Sequence, residues 1–224
     1  MRFQDRRGAG RELARQLRGY AADDTVVLAL PRGGVPVAFE VARELRAPLD
    51  VFLVRKLGVP GRSELAMGAI ASGGVRVLNH EVVETLGIDE DDIDAVTAEE
   101  QARLLRQEKL YRKDRSSLGV RYRTVILVDD GLATGATMRA AVEALRRQGA
   151  AKIIVAVPVG SASTCAEMKA VADEAICARI PEPFLAVGLW YADFTQTSDE
   201  EVRALLAASE MWEEAAREHQ PAAP

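Results

Sequence analysis

Apolar positions along the chain follow two rhythms. Short unbroken apolar runs occupy Thr25 to Leu30 (TVVLAL), Leu49 to Val54, Val125 to Val128 and Lys152 to Val159 (KIIVAVPV), with a shorter one at Glu174 to Ala178. Such runs, lacking polar alternation, predict strands covered on both faces of a parallel sheet. Between them apolar residues recur at helical spacing: Ala9, Leu13, Ala14 and Leu17; then Val37, Phe39, Val41, Ala42 and Leu45; then Met138, Ala141, Val142 and Leu145. Ser161, with Thr164 and Glu167 behind it, predicts a capped helix through about residue 171. Ser198-Asp199-Glu200-Glu201 opens a last helix through roughly Trp212, and the tail HQPAAP is expected to be disordered. Alternation of strand and helix predicts an α/β fold with a doubly wound, mostly parallel sheet and a small helical and β hood.

Two stretches break the rhythm. Residues 57–66, LGVPGRSELA, hold two glycines and a proline, and predict a mobile loop after the cationic strand end Arg55-Lys56. Met67 to Ala71 and Val75 to Leu78 flank Gly73-Gly74 and predict a hairpin. Residues 80–116 predict a helical insert: acidic at Asp89 to Asp94, then a long charged helix to about Arg115 whose second half is basic (Arg103, Arg106, Lys109, Arg112, Lys113, Arg115). Acid at a helix start and base at its end complement the macrodipole; a basic surface for an anionic partner or a subunit contact is the sharper reading. The whole of 1–224 reads as one domain, with the insert at about 80–116 and a C-terminal segment at about 181–215.

Composition narrows the classes. The 224 residues are 48% hydrophobic and 28% charged, with net charge −5, which suits a soluble globular chain and gives no reason to expect nucleic-acid binding. No apolar run approaches the roughly 20 residues of a membrane span. The N-terminus lacks the apolar stretch of a secretory signal, so a cytoplasmic protein is expected. Cys165 and Cys177, the two cysteines, then read as reduced structural thiols. Exposed aromatics near the C-terminus are consistent with a homodimer.

The chemistry concentrates in Val125 to Thr137. An apolar strand runs into Asp129 and Asp130, then into Gly131, Leu132, Ala133, Thr134, Gly135, Ala136 and Thr137, then into a helix. Small residues let the backbone approach a ligand, and the first amides of a helix favour an anion. A Walker A loop is a poor match, because Ala136 stands where that motif has Lys. The adjacent carboxylates repel a phosphate but suit ribose hydroxyls or a magnesium ion beside it. Two further loops follow strands: Pro31-Arg32-Gly33-Gly34 offers a guanidinium and backbone amides fit for pyrophosphate, and Arg55-Lys56 adds two cations.

VILVDDGLATGAT resembles the signature of the type I phosphoribosyltransferases, and similarity to a bacterial group of this family without an assigned acceptor extends over nearly the whole chain. The resemblance implies that Asp129 and Asp130 hold the ribose of phosphoribosyl pyrophosphate (PRPP) and Mg2+, and that residues 131–137 take its 5-phosphate. Arg32, Gly33 and Gly34 would take the pyrophosphate. LVRKLGVPG is similar to the adenine-specific members and implies that Arg55 and Lys56 lead into a mobile catalytic loop. PFLAVG…Y.D is similar to the base segment of the hypoxanthine-guanine enzymes, which implies base-binding roles for Phe184, Val187 and Tyr191 and a metal role for Asp193. Phe184, Trp190, Tyr191 and Phe194 serve equally well as core aromatics.

One departure stands out. Many purine enzymes of the family have an acid at the position of Ala133. The expected function is transfer of phosphoribose from PRPP to a purine- or pyrimidine-like base, with Arg32, Arg55, Lys56, Asp129 and Asp130 as the catalytic set. The alternative is a non-catalytic PRPP or nucleotide sensor on the same fold. A PRPP synthetase is disfavoured, because no ATP-binding counterpart is visible.

Overall fold

The computed structural model describes residues 2–22, 24–113 and 115–218, without the side chains of 63 and 212–218; the tail expected to be disordered lies outside the described residues. Five strands form one parallel sheet: β1 (Thr25–Ala29), β2 (Leu49–Val51), β6 (Thr124–Val128), β7 (Lys152–Val159) and β8 (Glu174–Arg179). Their order is β2-β1-β6-β7-β8. Register is continuous at the centre, with Val26 opposite Val125 and Ile126 opposite Ile154. Every residue of β1 is buried, as its unbroken apolar run requires.

Helices cover both faces. α1 (Arg6–Leu17) and α2 (Gly34–Leu45) pack on one, around Leu13, Leu17, Val37 and Val41. α5 (Ala136–Arg147) and α6 (Ala162–Val171) pack on the other, around Met138, Val142, Leu145 and Met168. α1 starts at Asp5, whose carboxylate accepts the Gly8 amide at 2.6 Å, and α6 at Ser161, whose hydroxyl accepts the Thr164 amide at 3.1 Å. α7 (Asp199–Glu218) returns along α2 and outruns its predicted end. Among the described residues no helix is long and apolar enough to cross a membrane.

Three expectations are corrected. Residues 57–66 are not a loop: β3 (Val54–Val59) and β4 (Arg62–Ala71) form an antiparallel hairpin that turns at Pro60-Gly61, and β5 (Val75–Leu78) completes a second, three-stranded sheet. Pro60 and Gly61 mark a tight turn, while Leu57 and Val59 bury on one side of the strand. Consequently Arg55 and Lys56 lie inside β3 rather than at the end of a strand of the parallel sheet. Cys165 and Cys177 are joined as a disulfide, because α6 packs against β8 and brings their Cα atoms to 6.4 Å.

The insert forms α3 (His80–Leu86) and α4 (Glu90–Arg112). α4 is anchored by a buried ion cluster. Arg112 Nε donates to both oxygens of Asp50, at 2.8 and 3.0 Å, and its Nη2 donates to the Val51 carbonyl at 2.7 Å. Glu108 pairs with its Nη1 at 2.8 Å, and the amides of Val51 and Leu118 also reach Asp50. Removing one partner strands the other charge. Asp50→Ala is expected to cost about 3–5 kcal/mol, and Asp50→Ala with Arg112→Met to recover much of that loss. Denaturant unfolding of the single and double variants checks this; a double variant no better than the single one contradicts it.

Candidate functional site

The sheet order places the site. From β1 the chain steps outward to β2, then returns to place β6 on the opposite side of β1, so the strand order reverses between β1 and β6. Open α/β sheets bind ligands at such a switch point. The two loops that meet there are Pro31-Arg32-Gly33 and Asp129 to Gly135.

They meet closely. A Cβ on Gly33 would lie 2.0 Å from Asp130 Oδ2, and one on Gly34 would lie 2.7 Å from the Val128 carbonyl. Only glycine permits that approach. The Asp130 amide donates to Asp129 Oδ1 at 2.8 Å, which fixes the first carboxylate over the strand end. Burial and the charge of Asp130 raise the Asp129 pKa well above the ordinary carboxylate value. Burial also raises that of Asp130, against the opposing effect of Arg6.

Arg6 is the site residue that sequence reasoning missed. From α1, 124 positions away, its Nε donates to Asp130 Oδ2 at 2.8 Å. Its Nη1 donates to the Thr195 carbonyl at 2.7 Å, and its guanidinium lies 4.0 Å from the Phe194 ring centre. Nothing local in the sequence marks Arg6, because its partners come from β6 and the C-terminal segment.

The 131–137 loop has two sides. Leu132 is buried and ties the loop to β7 through its amide on the Val159 carbonyl at 2.9 Å, so its side chain faces the core rather than a ligand. Thr164 donates its hydroxyl to the Ala133 carbonyl at 2.7 Å, and Arg139 donates to that of Thr134 at 3.0 Å. Ala133, Thr134, Ala136 and Thr137 are exposed. Gly135 takes φ 69°, the left-handed conformation that turns the chain into α5. The first helical bond there is from the Arg139 amide to Gly135, so the amides of Ala136 and Thr137 have no helical acceptor.

The cations divide. Arg32 lies 3.8 Å from Asp199, at the start of α7. That carboxylate accepts the Tyr111 hydroxyl at 2.7 Å, and Gln107 donates to the same hydroxyl at 3.1 Å, so α4 and α7 together hold the group beside Arg32. Burial and the bond to Asp199 push the Tyr111 pKa up to about 12. Arg55 is tied to Glu100 of α4 at 2.5 Å. Lys56 is exposed, and it shares with Ala136, Thr137 and His80 the lining of a cavity of about 510 Å³ between the hairpin sheet and α5.

The expected base segment is placed differently. Tyr191 cannot stack on a base: its ring is buried with Phe3, Ala9 and Val159, and its hydroxyl donates to the Asp130 carbonyl at 2.6 Å. Val187 packs against Gly131, where an added Cβ would meet it at 2.5 Å. Phe184 is partly buried on the same cluster. The three aspartates assigned to a metal do not gather. The exposed Asp193 carboxylate accepts the amide and hydroxyl of Thr195, at 2.9 and 2.7 Å, which lowers its pKa. Among the described residues no group of three or more His, Cys, Asp or Glu could hold a metal ion.

The phosphoribosyl transferase domain description matches residues 4–182. The chain belongs to the phosphoribosyl transferase domain family. A protein of Mycobacterium tuberculosis that carries the provisional name of a phosphoribosyl transferase is 50% identical over 204 residues, covering 91% of this chain and 46% of that protein. The chain therefore spans about half the length of the curated relatives it matches. The crystal structure of TT1426 from Thermus thermophilus superposes with a TM-score of 0.83 at 43% identity, covering 93% of this chain and 99% of that one. The fold is the type I phosphoribosyltransferase fold, a mostly parallel sheet with flanking helices.

The Asp129 shift has a consequence for stability. With its folded pKa raised, the folded state holds the proton more tightly than the unfolded chain does, and ionisation costs stability. That cost is absent below the ordinary carboxylate range of about 4 and grows as pH rises through the folded value. Asp129→Asn is therefore expected to raise Tm at about pH 7 by a few degrees, at about 2–4 °C per kcal/mol, with the gain vanishing towards about pH 4. Thermal unfolding across that range checks it; a variant less stable than wild type at neutral pH contradicts it.

Proposed function

We propose that the chain transfers the 5-phosphoribosyl group of PRPP to a nitrogenous base and releases pyrophosphate. One observation carries the reading. At the switch point the cationic loop packs onto the carboxylate pair across Gly33 and Gly34, and the same 129–137 segment runs on into a helix start whose first amides have no helical acceptor. That set matches a sugar flanked by two phosphate groups.

The exposed amides of Ala136 and Thr137, with the Thr134 and Thr137 hydroxyls, would bind the 5-phosphate. Asp129 and Asp130 would accept the ribose hydroxyls, and their charge would favour positive charge developing at the anomeric carbon. Arg32, steadied by Asp199, would bind the departing pyrophosphate. Arg6 would hold Asp130 in place rather than touch substrate. Lys56, on the hairpin and beside Thr137, would be the cation that the hairpin contributes. Magnesium fits at Asp129 and Asp130, since both carboxylates are desolvated and the charge of Asp130 raises the Asp129 pKa further, a penalty that a bound cation would offset. When bound, Mg2+ would neutralise the pyrophosphate. Asp193, turned to Thr195, stands outside that set.

A second reading, a PRPP-sensing protein, draws support from Ala133, which leaves the exposed loop tip without an acid, and from Arg55, already paired with Glu100. Incubation with magnesium, PRPP and a panel of purines and pyrimidines, with pyrophosphate as the readout, separates the two. Release dependent on one base is expected, falling by about 10²–10³ in Asp129→Asn with Asp130→Asn, as for other lost electrostatic groups. Tight PRPP binding with no release on any base would overturn the transferase reading.

A further inference from the structure

The end of α4 and the middle of α7 enclose a cationic notch of about 380 Å³ that shares no lining residue with the acid corner or the 131–137 loop. Its lining includes Arg112, Lys113, Arg115 and Arg203, with Leu206 as an apolar wall and, among the described residues, Glu210 as its one carboxylate. Among the described lining residues four cations stand against one acid, in a protein whose net charge is −5.

The existing partners do not use up these cations. Arg112 is saturated by Asp50 and Glu108. Arg115 pairs through Nε with Glu210, and Arg203 reaches Glu200 through Nη2 at 3.2 Å. Arg115 Nη1 and Arg203 Nε lie out of reach of solvent and without a partner among the described residues, so both guanidinium groups carry charge beside the notch that their ion pairs do not fully satisfy. Lys113 is exposed at the end of α4. Buried N–H groups are nearly always satisfied, and a charged one left alone carries a desolvation penalty. The helix dipole accounts for cations in the last turn of α4. It does not account for Arg203, which comes from α7, or for donors without acceptors.

We propose that this notch binds a small phosphorylated metabolite, its phosphate held by Arg115, Arg203 and Lys113. Planar guanidinium donors with an ammonium suit a tetrahedral oxyanion. The volume exceeds that of a bare phosphate and sits at the lower end of the range of small-molecule pockets, about 300–1,000 Å³. Leu206 and Ala207 would face the organic part, which makes a sugar phosphate or nucleoside monophosphate the fitting class. The site is independent of the reading of the acid corner.

Calorimetric titration of the full chain with inorganic phosphate and with adenosine 5′-monophosphate tests this. Wild type is expected to bind the monophosphate more tightly than phosphate. Arg203→Gln is expected to weaken binding about tenfold, the typical effect of losing one charge-assisted contact. Lys113→Gln, which changes an exposed side chain and keeps the backbone cap of α4, is expected to weaken it several-fold, with Tm unchanged. Binding equal in wild type and both variants would place the anion elsewhere and overturn the proposal. So would the absence of binding by either probe at millimolar concentration.

Discussion

The structure depends on keeping two adjacent carboxylates at the end of a buried strand. Asp129 and Asp130 are desolvated, and the charge of Asp130 weighs on Asp129. Their surroundings are arranged to tolerate this. Arg6 neutralises Asp130, the Tyr191 hydroxyl takes its carbonyl, and its amide turns to Asp129. Gly33 is confined to glycine by the same carboxylate. Such a locally unfavourable, over-determined corner is where a fold gives up stability for a site.

That constraint explains why both ends of the chain close on one place. α1 supplies Arg6, the C-terminal segment supplies Tyr191 and Thr195, and Phe3 pairs with Tyr191 as an isolated bridge. The insert contributes from the other side. The Asp50–Arg112 cluster fixes the end of α4, Tyr111 then fixes Asp199, and Asp199 stands beside Arg32. The charged helix, whose charges the sequence explains by the macrodipole or a basic surface, also braces the cationic loop.

Much of the parallel sheet was legible because its strands are buried on both faces and their apolar runs are continuous. The acid pair and the small-residue loop were legible because they are contiguous. The hairpin at 54–71 was not, since Pro60 and Gly61 punctuate a tight turn and a long loop alike. Tyr191 was misassigned for a related reason: an aromatic beside a site looks the same whether its ring stacks on a ligand or fills the core. Arg6 and Asp199 act across long sequence separations, and no periodicity reports such contacts. The disulfide went unread because the proximity of α6 to β8 is a tertiary fact.

The most direct test of the acid corner as a PRPP site is the electron density of crystals soaked with magnesium and PRPP. The 5-phosphate is expected on the amides of Ala136 and Thr137, the ribose hydroxyls on Asp129 and Asp130, and the pyrophosphate beside Arg32. A sugar phosphate bound with its ribose away from both aspartates would contradict that assignment.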